Sequence, residues 1–235
     1  TARGVSMETV IHGLHRACED ARRESGISAA LILCFLRHLS EEDAFATLEQ
    51  ALPFQDQFIG VGLDSSELGH PPEKFERVFA RCRELGLHRV AHAGEEGPPA
   101  YIWSALDALG VERIDHGVQA LKDDALVARL ARERMALTVC PLSNQKLCVF
   151  PDLAEHNLRA LLDAGLCATV NSDDPAYFGG YINDNFLQVF AATGMTSVHA
   201  WQLASNSFEA SFAPEADKRA WMARLQSVFS DFSAL

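Results

Sequence analysis

Two hydrophobic rhythms alternate along this chain. In residues 6–23 the apolar positions Met7, Val10, Ile11, Leu14, Cys18 and Ala21 recur at the helical period, with Ser6 as N-cap. Residues 27–36 then form a continuous apolar run that stops at Arg37-His38, the pattern of a parallel strand buried on both faces. The pair repeats. Ser40 and Asp43 read as a capping box for a helix through Leu52, and residues 58–63 as a strand ending at Asp64-Ser65-Ser66-Glu67. Pro71-Pro72 opens a helix carrying Phe75, Val78, Phe79, Cys82 and Leu85 that Gly86 stops, and residues 88–91 run into His92. Pro98-Pro99 opens a helix that Gly110 ends, and residues 111–114 run into Asp115-His116. A helix near residues 123–132 precedes a strand at 136–140, and one near 152–164, closed by Gly165, precedes a strand at 167–171. Beyond Gly180 the pattern is helical only, including residues 196–210 and 214–229.

Strand starts are spaced by roughly 25–30 residues, close to the ~31 per unit of a ~250-residue eight-unit barrel. The expected fold is therefore α/β, a (β/α)8 TIM-type barrel with six of its eight strands visible, followed by C-terminal helices. A doubly wound open sheet fits less well, because no Gly-x-Gly-x-x-Gly turn follows any strand. Since the chain opens on a helix, the first two βα units are expected upstream of Thr1, and residues 1–235 are expected to form a single, partial barrel domain.

Composition changes this picture only by exclusion. Apolar residues make up 48% and charged residues 22%, ordinary for a globular chain. A net charge of −12 argues against a phosphate-backbone partner, so no nucleic acid is expected. The 6 cysteines include no C-x-x-C pair, and most sit among apolar neighbours, as core thiols in a reduced compartment do. No apolar run reaches the ~18 residues of a membrane span, and Thr1-Ala-Arg-Gly does not read as a signal peptide. A cytoplasmic enzyme is the expectation.

The polar clusters at the strand ends carry the chemistry. His92-Ala-Gly-Glu95 places an imidazole and a carboxyl across a glycine that lets the backbone turn sharply. Asp115-His116-Gly117 supplies a second imidazole. Asp173-Asp174-Pro175 is the sharper signal: it crowds two carboxylates, which a cation and a donor relieve, the alternative being an Asx turn entering a helix before Pro175. Each cluster alone is more often structural; three strand ends converging on His, Glu, His and Asp are not. His12 and His15 on a helix are weaker candidates, and Ser143 has no His–Asp relay beside it. Tyr177, Phe178 and Tyr181 either line an aromatic pocket or pack at a helix start.

In this order, His92-Ala-Gly-Glu95, Arg113-Ile-Asp-His116-Gly117, Cys140-Pro-Leu-Ser-Asn144 and Ser172-Asp173-Asp174-Pro175 resemble the adenosine/adenine deaminase family. Gly62-Leu-Asp-Ser-Ser-Glu67 and Pro175-Ala-Tyr-Phe-Gly-Gly-Tyr181 are closer to its adenine deaminase branch. The resemblance implies zinc (Zn2+) held by His92 and Asp173, a proton delivered to purine N1 by Glu95, and a water positioned by His116. It also implies Asp174 bonded to N7 of the base and a substrate contact near Glu67. Adenine would lose its C6 amino group as ammonia and leave as hypoxanthine, a purine-salvage reaction. Attack on an aromatic carbon needs its ring nitrogen protonated, so Glu95 is expected in its acid form, which burial favours. The family's His-x-His on a first strand occurs nowhere in this chain, which fits the two strands expected upstream. The isolated polypeptide is accordingly expected to bind zinc weakly and to expose unpaired strand edges. A deaminase of N6-substituted adenine or of adenosine, and an inactive purine-binding remnant, stand as alternatives.

Overall fold

The computed structural model describes residues 4–233, so the leading Thr1-Ala-Arg lies outside the described residues. The described chain forms two compact units, one running through His92 with Trp103–Glu112, the other made of Ala93–Ile102 and everything from Arg113 on. In the first, α1 (Met7–Ser25), β1 (Ile32–Leu36), α2 (Glu41–Ala51), β2 (Gly60–Asp64), α3 (Glu76–Glu84) and β3 (His88–Ala93) follow one another. β1 pairs parallel with β2 from Ile32 opposite Gly60 to Leu36 opposite Asp64, and β2 pairs parallel with β3 starting at Gly60 opposite His88. Phe35, Val61, Leu63, Phe75, Val78, Phe79 and Cys82 build its core. Next along the chain α4 (Pro99–Ser104) continues into a π-helical turn, Ala105–Leu109, which Gly110 ends in the left-handed conformation.

The second unit contains β4 (Arg113–His116), α5 (Asp124–Glu133), β5 (Ala136–Val139), α6 (Pro141–Lys146), α7 (Leu158–Asp163) and β6 (Cys167–Val170). Four helices close the chain: α8 (Pro175–Phe178), α9 (Ile182–Thr193), α10 (Ser197–Ala210) and α11 (Glu215–Ser233). β4 pairs parallel with β5, Ile114 opposite Leu137, and β5 with β6, Ala136 opposite Cys167. Every residue of β6 is buried, which is why that strand reads as an unbroken apolar run. α10 presents buried Leu203 and Asn206, and the Asn206 amide donates to the Ala168 carbonyl of β6 at 2.8 Å.

The α/β class and the six strands match the sequence reading; several boundaries move. The strand expected at 27–36 exists only from Ile32, because its ladder starts where Ile59 N–H donates to Leu31 O. Strands three and four run further than expected, so His92 and His116 lie inside them rather than after them. Pro71-Pro72 opens a 3-10 turn, Pro72–Phe75, and α3 begins only at Glu76. The helix expected at 152–164 is broken: a 3-10 turn, Leu153–Glu155, is separated from α7 by His156 and Asn157. Asn157 Nδ2 donates to Val118 O at 2.7 Å and pins that break. The α1 stripe is mostly solvated, with Ile11 buried and Leu14 52% exposed. Of the cysteines only Cys82, Cys140 and Cys167 are buried, so core packing accounts for half of them. Among the described residues no helix is long and apolar enough to cross a membrane.

Candidate active site

Glu95, His116 and Asp173 come together within the second unit. Glu95 follows Gly94, whose φ of 71° and approach to Ile102 admit no side chain: a Cβ there would meet Ile102 Cδ1 at 2.5 Å. Gln119 fixes this turn from its backbone N–H to Gly94 O at 2.9 Å and from its amide to Glu95 O at 2.9 Å. The Glu95 carboxyl is buried, 6% exposed. His116, the last residue of β4, has φ 67°, a conformation costly for a residue with a Cβ. Gly117 follows at φ 70°, pressed against Leu137. The result is a buried imidazole whose Nδ1 lies 3.3 Å from Glu95 Oε1.

The short helix α6 supplies two neighbouring partners that the sequence reading left without a role. Asn144 Nδ2 donates to Glu95 Oε1 at 2.6 Å and lies 3.5 Å from His116 Nδ1. Ser143 Oγ donates to Asp173 Oδ2 at 2.7 Å. Both side chains are fully buried, and α6 is tethered by Leu142 N–H to Asn185 Oδ1 of α9 at 3.1 Å. Behind Asn144 stands His156, with Nε2 3.3 Å from Asn144 Oδ1 and Nδ1 accepting from Leu158 N–H at 3.1 Å. Burial pushes the His156 imidazole down to about 4, so it is neutral near pH 7. No pattern of spacing marks His156; the broken helix around it is the only sign.

Asp173 also sits at positive φ, 55°. It, His116 and Cys140 each offer a ligand atom within 4.8 Å of the others. Burial, reinforced by Asp173, Asp115 and Glu95, pushes the Cys140 thiol up, and its Sγ donates to Thr138 O at 3.4 Å. Asp174 parts from its neighbour by capping α8, its Oδ1 accepting from Tyr177 N–H at 3.2 Å. The Asx-turn explanation of that residue is thus correct, and Asp174 as a whole is exposed. Tyr177 and Tyr181 are 79% and 68% exposed, so they do not line an enclosed aromatic pocket.

His92 and Glu67 belong to the first unit, where a buried arginine organises the strand ends. Arg37, just past β1, donates from Nη1 to His92 O at 2.6 Å and from Nε to His70 O at 2.9 Å. Its Nη1 lies 3.7 Å from Glu67 Oε1, both side chains being essentially solvent-free. Lys74 Nζ in turn donates to Arg37 O at 3.0 Å. The Glu67 carboxylate thus forms an ion pair with Arg37 inside the unit. Asp64, ending β2, keeps a buried Oδ1 that has no hydrogen-bond partner. Burial pushes its carboxyl up against the opposing pull of His92, His38 and Arg37.

Comparison with known proteins gives this geometry its family. The sequence model of the adenosine deaminase family matches residues 1–228. The adenine deaminase of Albidiferax ferrireducens is 70% identical over 232 residues, 99% of this chain and 67% of that protein. The adenine deaminase of Geotalea uraniireducens is 65% identical over 233 residues, 99% of this chain and 66% of that one. The chain thus spans about two thirds of the length of these relatives. Among solved structures, the adenine deaminase from Arthrobacter aurescens superposes with a TM-score of 0.95 at 46% identity, covering 97% of this chain and 70% of that one. An amidohydrolase from Burkholderia ambifaria with bound Zn gives 0.86 at 29% identity, covering 92% and 61%. The chain belongs to the adenosine deaminase family and has its metal-dependent-hydrolase barrel fold, with six of the strands in this chain.

Proposed function

We propose that this chain is the larger part of an adenine deaminase, a zinc-dependent aminohydrolase that converts adenine and water to hypoxanthine and ammonia. The observation that carries the reading is the buried Glu95 carboxyl, held by Asn144 at 2.6 Å and facing His116 at 3.3 Å, in a chain 70% identical to an adenine deaminase. Glu95 delivers a proton to ring nitrogen N1 as C6 loses aromaticity. His116 orients the attacking water, and Asp174 accepts a hydrogen bond from N7–H through the oxygen its cap leaves over. The loop around Glu67 contacts the base through its backbone.

His92 and Asp173 are the proposed zinc ligands. Imidazole nitrogen and carboxylate oxygen suit that ion, and the bond from Ser143 orients Asp173 as outer partners orient metal-binding carboxylates. When bound, zinc lowers the pKa of water enough to provide hydroxide near neutral pH. The substrate is a small purine, and the setting is cytoplasmic; neither a nucleic acid nor a membrane takes part. Residues 1–235 act as one partial barrel domain.

The test is turnover by the full-length protein that contains this chain. Adenine should give ammonia and a falling purine absorbance, with zinc found by metal analysis and activity lost on chelation. Faster turnover of adenosine or of an N6-alkyl adenine overturns the substrate assignment. A metal-free, inactive protein returns the chain to the remnant reading.

A further inference from the structure

We infer that Asn144 and His156 are positioning residues that fix which oxygen of Glu95 carries its proton, through a hydrogen-bond chain running Leu158 N–H, His156, Asn144, Glu95. The direction of every link follows from the first. The Leu158 N–H can only donate, and it donates to His156 Nδ1 at 3.1 Å. A neutral imidazole with an occupied Nδ1 lone pair carries its hydrogen on Nε2. Nε2–H therefore donates to the oxygen of Asn144, 3.3 Å away. With its oxygen so committed, the Asn144 amide turns its NH2 toward Glu95, and Nδ2 donates to Oε1 at 2.6 Å. In the acid form of Glu95, which the deaminase reading requires, the oxygen that accepts this bond is the carbonyl oxygen. The proton of protonated Glu95 is thereby placed on Oε2.

Three features make this chain more than a packing detail. Its side chains are all buried, Asn144 at 0%, His156 at 4% and Glu95 at 6% exposure, so water does not compete for their bonds. The imidazole stays neutral down to acid pH because burial opposes its charge, so the donor at Nε2 does not change near pH 7. The backbone also gives up a continuous helix to seat His156: the segment breaks between Glu155 and Leu158, and the ring packs 4.5 Å from that of Phe150. A mere helix cap would need only Nδ1; here Nε2 faces Asn144.

The inference rests on the deaminase reading, and its experiment separates the two. In the full-length, zinc-loaded protein, Asn144→Ala should lower kcat for adenine roughly 10–100-fold, the range that orienting partners carry, with KM changed by less than about threefold. His156→Ala should act in the same direction, and His156→Gln, which keeps a donor toward Asn144, should recover most of the loss. A purely structural role would lower the melting temperature while leaving kcat of the folded enzyme unchanged; that result in Asn144→Ala overturns the inference. Imidazole 15N spectra give a readout that does not need turnover. They should place the His156 proton on Nε2 near pH 7, and a proton on Nδ1 overturns the chain of bonds. If the unvaried protein leaves adenine untouched, the function reading fails while the spectra still decide the relay.

Discussion

The two units hold their strand-end polar groups by opposite means. In the second, Glu95 and His116 are fixed by neutral donors, the amide of Asn144 backed by the neutral imidazole of His156. In the first, the His92 and His70 carbonyls and the Glu67 carboxylate are gathered by one fully buried guanidinium, Arg37. Neutral donors orient a carboxyl without fixing its charge, which suits a group that must gain and lose a proton. A buried guanidinium that bonds two backbone carbonyls and pairs with a carboxylate ties three segments together, which suits a scaffold. The contrast predicts that substitutions in the second unit act on rate and those in the first on stability.

The largest effect should come from Glu95→Gln. The amide keeps the size and one acceptor oxygen for Asn144 but has no proton to deliver, so kcat falls by about 10²–10⁴, the usual worth of a general acid. The melting temperature should move little, because the bond to Asn144 survives. Steady-state kinetics beside a thermal melt check both halves. A Glu95→Gln enzyme that keeps the parent's rate and pH–rate profile removes Glu95 from the chemistry.

Arg37→Met should show the opposite pattern. Removing one partner of a buried ion pair leaves an uncompensated charge, here Glu67 at 1% exposure, and such losses run to about 3–5 kcal/mol. The His70 and His92 carbonyls lose their donor at the same time. Denaturant unfolding should register the full loss, and a second change, Glu67→Leu, should recover only part of it, since the two bonds from Arg37 to those carbonyls stay lost. A loss under about 1 kcal/mol means that Arg37 does not frame this unit.

How much of this was legible follows from what each signal depends on. Strand and helix existence rests on local periodicity, and all six strands were visible that way. Their ends depend on ladder partners distant in sequence, which is why β1 starts at Ile32 and His92 falls inside β3. Glu95, His116 and Asp173, which the second unit brings together, were legible as candidates because they stand at apolar-to-polar junctions. Their supports were not. Asn144 and Ser143 sit in a short polar-looking stretch that is in fact buried, and His156 sits within an apparently regular helical pattern. Arg37 was visible only as a charge ending a strand. Nothing local says that it reaches a carbonyl 55 positions away.

The smallest predicted effect uses pH to sharpen the same contrast. His156 is held neutral in the fold, its pKa lowered from the ordinary 6.5 to about 4 by burial. Between those values the unfolded chain binds a proton that the folded one refuses, so stability is full above the unfolded pKa and declines as pH falls from 6.5 toward 4. The decline amounts to about 3 kcal/mol if the whole shift is realised. Guanidinium melts across that window should show the slope, and His156→Gln should flatten it by the equivalent of one proton while Arg37→Met leaves it in place. A slope that survives in His156→Gln assigns the proton to another group and means that the His156 ring is already charged, or solvated, in the folded protein.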